Sequence, residues 1–480
     1  MNFLLRRGRI LFLAVILAMI PNYAQSDGDF EILQNANNTV TITKYKGSAT
    51  NVAIPSVLYG IKVIGIGGTA FAFQSKSITS VVFPNTLISI GASAFYGNEL
   101  GEIVIPNSVT HIEKEAFKKS GVTKVSFGNG VKSIGSDAFA DNKIKEVILP
   151  PSLTSVESSV FYHNEIENVS FGNNIKEIKE KAFAYNHIQS ITIPMGVTIG
   201  NGAFECNQLT SVTIPNGVTA VSSIFRNNPI NTLVIPTSLT IRWEQAFVNL
   251  PLTRITMPAN KDNSFLDMSG FEKSFINFYV NQNRAAKTYF KNGPIWTLTA
   301  PEPKTEAMFT DSRNGMLYKT VNINGKIWMA ANLSYKPQTG KSGCYDNNPD
   351  NCRIYGGLYD WNTALKVCPE GWHLPSRQEW EELVTAAGGV ARKLKAISGW
   401  DYCAGGGDDF GFSALPGGER NGYNGDFNSV GGIGYWWTAT ESESGNAYYR
   451  RMSGSYDGVN DIQDHDNKSN GYSVRCVQDG

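Results

Sequence analysis

The sequence has no net charge: 42 Lys and Arg stand against 42 Asp and Glu. Without an excess of one sign there is no long-range field to steer the chain onto a phosphate backbone or an anionic membrane, so nucleic acid is not expected as a partner. Histidine is scarce, and His111, His163, His187, His373 and His465 fall into no HExxH or comparable spacing. No histidine metal centre is therefore expected, and surface or packing roles are assigned to all five. Cysteine is missing ahead of Cys206, which excludes a lipid anchor through an N-terminal cysteine. Beyond the first residues no apolar run approaches the roughly 20 residues a spanning helix needs, so no membrane span is expected after leader removal.

What is present begins with a leader. Arg6, Arg7 and Arg9 precede an apolar run from Ile10 to Ile20, followed by Pro21 and the small Ala24. This is the layout of a secretory signal over residues 1–24, cleaved after Ala24. The chain is accordingly expected to be exported, to the cell surface or medium, with the periplasm as the other destination. Its 480 residues exceed what one core organises, so more than one domain is expected.

Self-similarity dominates the first part. LGEIVIPNSVTHIEKEAFKKS from Leu100, IKEVILPPSLTSVESSVFYHN from Ile144 and LTSVTIPNGVTAVSSIFRNN from Leu209 share the pattern LxxIxIPxxVxxIxxxAFxxN. It recurs roughly every 21 to 22 residues, the period of a leucine-rich solenoid. A closing phenylalanine marks each unit: Phe71, Phe95, Phe117, Phe139, Phe161, Phe183, Phe204, Phe225 and Phe247. In LxxIxI, alternate side chains point inward and make a short strand. The proline after it, as at Pro106, Pro150 and Pro215, lacks an amide donor and ends the pairing. One unit cannot bury its apolar face alone, so neighbours must stack. Asn98, Asn142, Asn164, Asn186, Asn207 and Asn228 stand where each coil turns and are expected to form a structural ladder. Ser120-Gly121 interrupts that series, and a locally different turn is expected there.

These landmarks resemble the BspA-type leucine-rich repeats of bacterial surface proteins. The resemblance implies a mainly β solenoid with short strands in each coil: an N-terminal cap and first repeat over 27–77, repeats over 78–258 and a C-terminal cap over 259–299. The lack of a catalytic or metal-binding motif leads to the expectation that the chain is not an enzyme. The resemblance also implies a surface adhesin that holds an extracellular protein on the exposed positions of the strand face. Those are Thr123, Lys124, Lys145, Glu146, Glu167, Asn168, Gln189, Ser190, Thr210, Ser211, Asn231 and Thr232, with Thr79, Ser80, Glu102, Thr253 and Arg254 beside them. Read from the sequence, this face is polar and nearly neutral, with no aromatic anchor or apolar patch.

Residues 300–310 form a Pro-rich charged linker, after which Gly, Trp, Tyr and Asp become dense. The blocks NGMLYKTVNINGKIWM, YDWNTALKVC, GWHLPSRQEWEELVTAAGG, GYWWTAT and GYSVRCV resemble the Fibrobacter succinogenes major paralogous domain over 311–480. That likeness implies an α+β domain of the C-type lectin-like kind. Met316 to Met329 reads as a hairpin around Asn-Gly, and Ser376 with Glu379 as a capping box opening a helix.

Cys344 and Cys352 flank a short polar loop and can bridge locally, as an exported chain permits. The lectin-like resemblance implies a second, long-range bridge between Cys368 and Cys476. Cys206 and Cys403 are left over and are expected to be buried thiols. The same superfamily includes formylglycine-generating enzymes, but their reactive cysteine pair is not matched here, so no catalytic residue is assigned. Calcium is weighed on Asp457, Asn460, Asp461, Asp464 and Asp466, and on Asp408 and Asp409, without a recognisable sugar-calcium motif. No cofactor is assigned. The alternative function is glycan binding, with Trp436, Trp437, Tyr448 and Tyr449, beside Tyr435, stacking on sugar rings.

Overall fold

The computed structural model describes residues 26–480, apart from 73–76, 221, 242–244, 249, 293–294, 301–306, 402–404, 455 and 460–464. The expected signal, most of the linker, Cys403 and the candidate calcium ligands Asn460, Asp461 and Asp464 lie outside the described residues. Two compact units are formed. One runs up to Phe204 and takes in Pro215–Ile224, and the other holds Glu205–Ile214 and Phe225–Gly480.

In the first unit, Phe30–Gln34 and Thr39–Tyr45 pair antiparallel and open the stack. Thr39–Tyr45 then pairs parallel with Ile61–Ile66, and the series continues through Ser89–Ile90, His111–Ile112 and Ser133–Ile134. The LxxIxI segments form separate parallel pairs: Asn51–Ala53 with Ser80–Val82, Gly101–Val104 with Val122–Ser126, and Glu146–Ile148 with Asn168–Ser170. A coil therefore carries two short strands. The second, at the Ile of the xxIxxxAF half, is only two residues long, too short to leave an alternating pattern that the sequence could reveal.

The closing phenylalanines fill the interior. Phe71, Phe95, Phe117, Phe139, Phe161, Phe183 and Phe204 stack in turn, with centroid spacings of 4.8, 5.2, 5.2, 5.7, 5.4 and 5.7 Å and ring planes within 14° of parallel. The spacing equals or slightly exceeds the roughly 4.7–4.9 Å between neighbouring strands, so each ring packs on its copy in the next coil. Where phenylalanine also replaces the second strand isoleucine, at Phe83, Phe127 and Phe171, it meets the column edge-on, at 87°, 89° and 88°. Both geometries are favoured by the ring quadrupole.

The asparagines are buried, and Asn98, Asn142, Asn164, Asn186 and Asn228 are bonded on both ends of the amide. Asn164 Oδ1 accepts from the Ile144 amide (3.1 Å), and its Nδ2 donates to the Phe139 carbonyl (2.9 Å). Asn98 repeats this with Ile78 (2.9 Å) and Phe71 (3.0 Å), and Asn186 with Ile166 (3.0 Å) and Phe161 (2.9 Å). At the interruption, Ser120 supplies one donor in place of the amide: its hydroxyl reaches the Phe95 carbonyl at 2.6 Å. Asn142 Oδ1 accepts from the amides of both Ser120 (3.0 Å) and Val122 (2.9 Å). Serine thus keeps the bond to the neighbouring coil, and its backbone carbonyl, accepting from the Leu100 amide (2.7 Å), takes the place of the side-chain acceptor.

In the second unit, Ser211–Thr213, Thr232–Val234 and Arg254–Met257 continue in parallel, and Lys287–Asn292 and Ile295–Thr297 close the sheet antiparallel. Helix Asn263–Ser269 is capped by Asp262, whose carboxylate accepts from the Phe265 amide, and it ends at Gly270 in the left-handed region (φ 74°). Phe271 then stacks on Phe247 at 5.4 Å, continuing the ring packing into the cap. Lys261 is buried and donates its ammonium to the carbonyls of Thr237 (2.9 Å) and Leu239 (3.4 Å), while Tyr279 Oη donates to Pro258 (2.8 Å). These bonds satisfy carbonyls that a further coil would otherwise cover.

The C-terminal region has two sheets. One orders Ala307–Asp311, Met316–Ile323, Lys326–Met329, Val477–Gln478 and Trp372–His373. The other is built around Ile433–Glu443, flanked by Tyr472–Ser473 and Asn446–Ser453. The Met316–Ile323 hairpin turns at Asn324 and Gly325, with φ of 52° and 87°. Helix Arg377–Ala386 opens with the Ser376–Glu379 capping box. Cys344 is bonded to Cys352 and Cys368 to Cys476, the latter across a sequence separation of 108. Cys206 is a buried free thiol.

Candidate functional site

On the strand face of the repeats, Ile103, Val125 and Val147 point inward and are buried, which turns the residues between them outward. Thr123, Lys124, Lys145, Glu146, Glu167, Asn168, Gln189 and Ser190 in the first unit are exposed, as are Thr210, Ser211 and Asn231 in the second, while Thr232 is half-buried. Pairing brings Lys124 beside Glu102 and Glu146 beside Asn168. Gln189 and Ser190 lie outside the strands.

The expectation of a face without apolar residues is corrected. The residue between the two inward positions of IxI also faces out, and in four coils it is a branched aliphatic, half-buried at Val234 and exposed in the other three. Val82 is 39% exposed, Val104 58% and Ile148 63%. Ser126 stands between the last two, and Ser170 follows. The pattern IxI itself carried this information, because its middle position must oppose the two isoleucines.

Charge is distributed unequally over the coil. Among the described residues, none of Glu102, Lys124, Lys145, Glu146 and Glu167 joins an ion pair. The turns behind are paired instead: Lys118 with Asp137 (2.9 Å), Lys179 with Glu157 (2.7 Å) and His163 with Asp141 (2.9 Å). Burial works against the Lys118 ammonium, but the Asp137 hydrogen bond and charge outweigh it and raise its pKa. Charges on the strand face thus remain available to a partner.

In the C-terminal domain, the proposed sugar-stacking platform is corrected too. Trp436 and Trp437 are wholly buried. Their strand is central, and its two faces enter different cores. Tyr435 and Trp437 pack with Tyr359, Trp361 and Tyr472, whereas Trp436 packs with Trp328, Trp380 and Phe412. Trp436 Nε1 donates to Asn332 Oδ1 (2.8 Å) and Trp437 Nε1 to the Tyr359 carbonyl (2.9 Å). Tyr449 packs against Tyr435 and Tyr472, and Tyr448 lies under the Arg377 guanidinium at 4.5 Å; both are half-buried. A strand covered on both sides reads as a continuous aromatic run, which periodicity cannot tell from an exposed aromatic strip.

The same core holds a charge. Arg475 is fully buried, donates Nη2 to Asn332 Oδ1 (2.8 Å) and Nη1 to the Phe412 carbonyl, and lies over the Phe412 ring at 4.4 Å. Burial pulls its pKa down to about 9, partly opposed by Asp408. Asn332 therefore joins the arginine and Trp436 at one oxygen, a buried internal brace.

His373 bonds Asp479 through Nδ1 (2.6 Å) and Glu379 through Nε2 (3.2 Å). Burial acts to raise the Glu379 pKa, but hydrogen bonds from the Ser376 amide and hydroxyl, Lys326 and His373 outweigh it and hold it at about 2. These contacts fix the helix start. Of the candidate calcium ligands, Asp408 is engaged by the Ser413 amide (2.7 Å) and hydroxyl (2.5 Å), Asp466 takes the Tyr472 hydroxyl, and Asp409 is exposed. Among the described residues, no three His, Cys, Asp or Glu side chains are grouped to hold a metal. No helix among the described residues is long and apolar enough to cross a membrane.

Comparison with known proteins follows this division. The model of the BspA type leucine rich repeat region matches in overlapping stretches over 65–188, 132–253 and 197–306, and that of the Fibrobacter succinogenes major domain matches 321–478. A search of curated proteins gave no match. Solved structures similar to the chain include a leucine rich cell surface protein from Faecalibacterium prausnitzii, 23% identical over 53% of this chain and 94% of that one, with a TM-score of 0.35. A leucine rich repeat protein of T. pallidum is 21% identical over 37% of this chain and 86% of its own, with a TM-score of 0.32. The pneumococcal vaccine antigen PcpA is 18% identical over 48% and 68%, with a TM-score of 0.32. The chain belongs to the BspA-type leucine-rich repeat family and carries a Fibrobacter succinogenes major domain after its repeats.

Proposed function

We propose that this chain is an exported, non-catalytic adhesion protein of the cell surface or medium, and that the strand face of its repeats holds a protein ligand. The observation that carries the reading is the outward row Val82, Val104 and Ile148, set among the unpaired charges of Glu102, Lys124 and Glu146. Apolar groups ringed by polar ones are what a protein interface presents, the first supplying affinity and the second register. The leader over residues 1–24 and the two bridges fit export. The domain limits given above belong to this proposal, as does the lectin-like character of the last domain.

The test is capture of extracellular matrix proteins and of bacterial surface proteins by the wild-type chain and by the double variant Val104→Asp, Ile148→Asp. Both side chains are solvent-facing, so melting should not change, while capture should weaken about tenfold or more, the scale of a buried interface anchor. Capture equal to wild type would place the contact elsewhere.

A further inference from the structure

A second surface lies apart from the strand face and from the buried aromatics of the last domain. Strands Glu419–Arg420 and Phe427–Asn428 pair as a hairpin, and residues 421–426 form its tip. Tyr423 stands at that tip and is 98% exposed. An aromatic ring so fully in water gains nothing from the fold's own core.

The tip is held in place by many bonds. Asn421 Oδ1 accepts from the amides of Tyr423 (2.8 Å) and Asn424 (3.2 Å), Asn424 Oδ1 from Asp426 (3.1 Å), and the Asn421 amide donates to the Asp426 carbonyl (2.8 Å). The hairpin is also tied to a second loop. Gly422 donates to Asn470 Oδ1 (2.8 Å), and Arg420 and Gly471 exchange two backbone bonds (3.0 and 2.8 Å). A Cβ on Gly422 would lie 2.3 Å from the Ser469 carbonyl, so glycine is what lets the loops touch. The ring is displayed on a braced support, and little conformational freedom is left to lose on binding.

We propose that Tyr423 is a stacking platform for a neutral carbohydrate, with the side-chain amides of Asn421 and Asn470 reading its hydroxyl groups. The Asn424 amide is engaged by Asp426 (2.6 Å) and the Ser469 hydroxyl by Asn467 (2.7 Å), and both serve to hold the loops. The chemistry of the rim selects this ligand. A pyranose offers a small apolar C–H face to one ring and a belt of hydroxyls to short polar side chains. A protein hot spot would instead need an aromatic set in a desolvating apolar cluster, and Tyr423 is a lone ring among polar residues. Arg420 and Asp426 balance in charge, which favours an uncharged ligand. The site is independent of the protein-binding reading of the repeats.

The experiment is affinity electrophoresis of the full chain in native gels, each cast with one soluble neutral polysaccharide: mixed-linkage β-glucan, xyloglucan, galactomannan or arabinogalactan. Wild type should be retarded in at least one gel. Tyr423→Ala should weaken that retardation about tenfold with melting unchanged, Tyr423→Trp should retain it, and Asn470→Ala should weaken it several-fold. Retardation in none of the gels would overturn the proposal, as would equal retardation of wild type and Tyr423→Ala. Tyr423-dependent capture of a protein with no polysaccharide retardation would overturn it as well.

Discussion

The repeats and the C-terminal domain solve the same problem, burying polar groups in an apolar interior, at different sequence distances. In the repeats, Asn164 bonds Ile144 and Phe139 in neighbouring coils, and the next coil repeats the bond with Asn186. In the C-terminal domain, Asn332 meets Arg475 and Trp436, and Cys368 meets Cys476, each only once. Damage to a coil should therefore stay local, whereas damage to the domain should be felt throughout it.

The sharpest test of that contrast is the long bridge. Cys368→Ala with Cys476→Ala should destabilise the C-terminal domain by about 4 kcal/mol in the chain-entropy account of a loop this long. Seven of the nine tryptophans, Trp328, Trp361, Trp372, Trp380, Trp400, Trp436 and Trp437, lie in that domain, so with Trp243 and Trp296 of the repeats and their cap replaced by Phe, tryptophan emission during urea unfolding reads it. The transition should move to lower urea as a whole. A shift confined to part of the emission change would break the idea of one cooperative unit.

A smaller and more local loss is expected from Asn164→Ala, which strands the buried Ile144 amide at about 2 kcal/mol, while the Phe139 carbonyl keeps its bond from Asn142 (3.0 Å). Hydrogen exchange should quicken in the coils on either side and stay unchanged in the C-terminal domain. Quickening throughout the repeats would argue against quasi-independent coils.

The smallest effect concerns Glu379. Its folded pKa of about 2 lies below its ordinary 4.5, so the ionised carboxylate contributes stability that is complete above about pH 4.5 and is lost as pH falls toward 2. Glu379→Gln should cost about 1 kcal/mol at neutral pH, a typical helix-cap loss, and should flatten the acid limb of the domain's melting curve. An unaltered acid limb would show that this cap is not the titrating contact.

The contrast also governs what the sequence could reveal. A repeated contact is written many times, so the phenylalanine column, the asparagine ladder and the strand-ending prolines were legible from spacing. Ser120 could be seen as an exception, but not as a donor that keeps the Phe95 bond. The outward aliphatic row is written in IxI, whose middle position must oppose the two inward ones. In the C-terminal domain, the capping box and the Asn-Gly hairpin are local and could be read. The Asn332–Arg475 brace joins residues far apart in the chain and leaves no periodic trace. The Tyr435-Trp436-Trp437 run gave no sign that both faces of its strand are covered, and Tyr423 gave none that it stands clear.

The central claim is that the strand face of the repeats, rather than the turns behind it, meets the protein ligand. Lysine-modification footprinting of the full chain, free and saturated with a captured protein ligand, tests it directly. Lys124 and Lys145 should become protected, while Lys118 and Lys179, engaged by Asp137 and Glu157 on the turn side, should not change on binding. Protection of Lys118 and Lys179, with Lys124 and Lys145 left reactive, would contradict it.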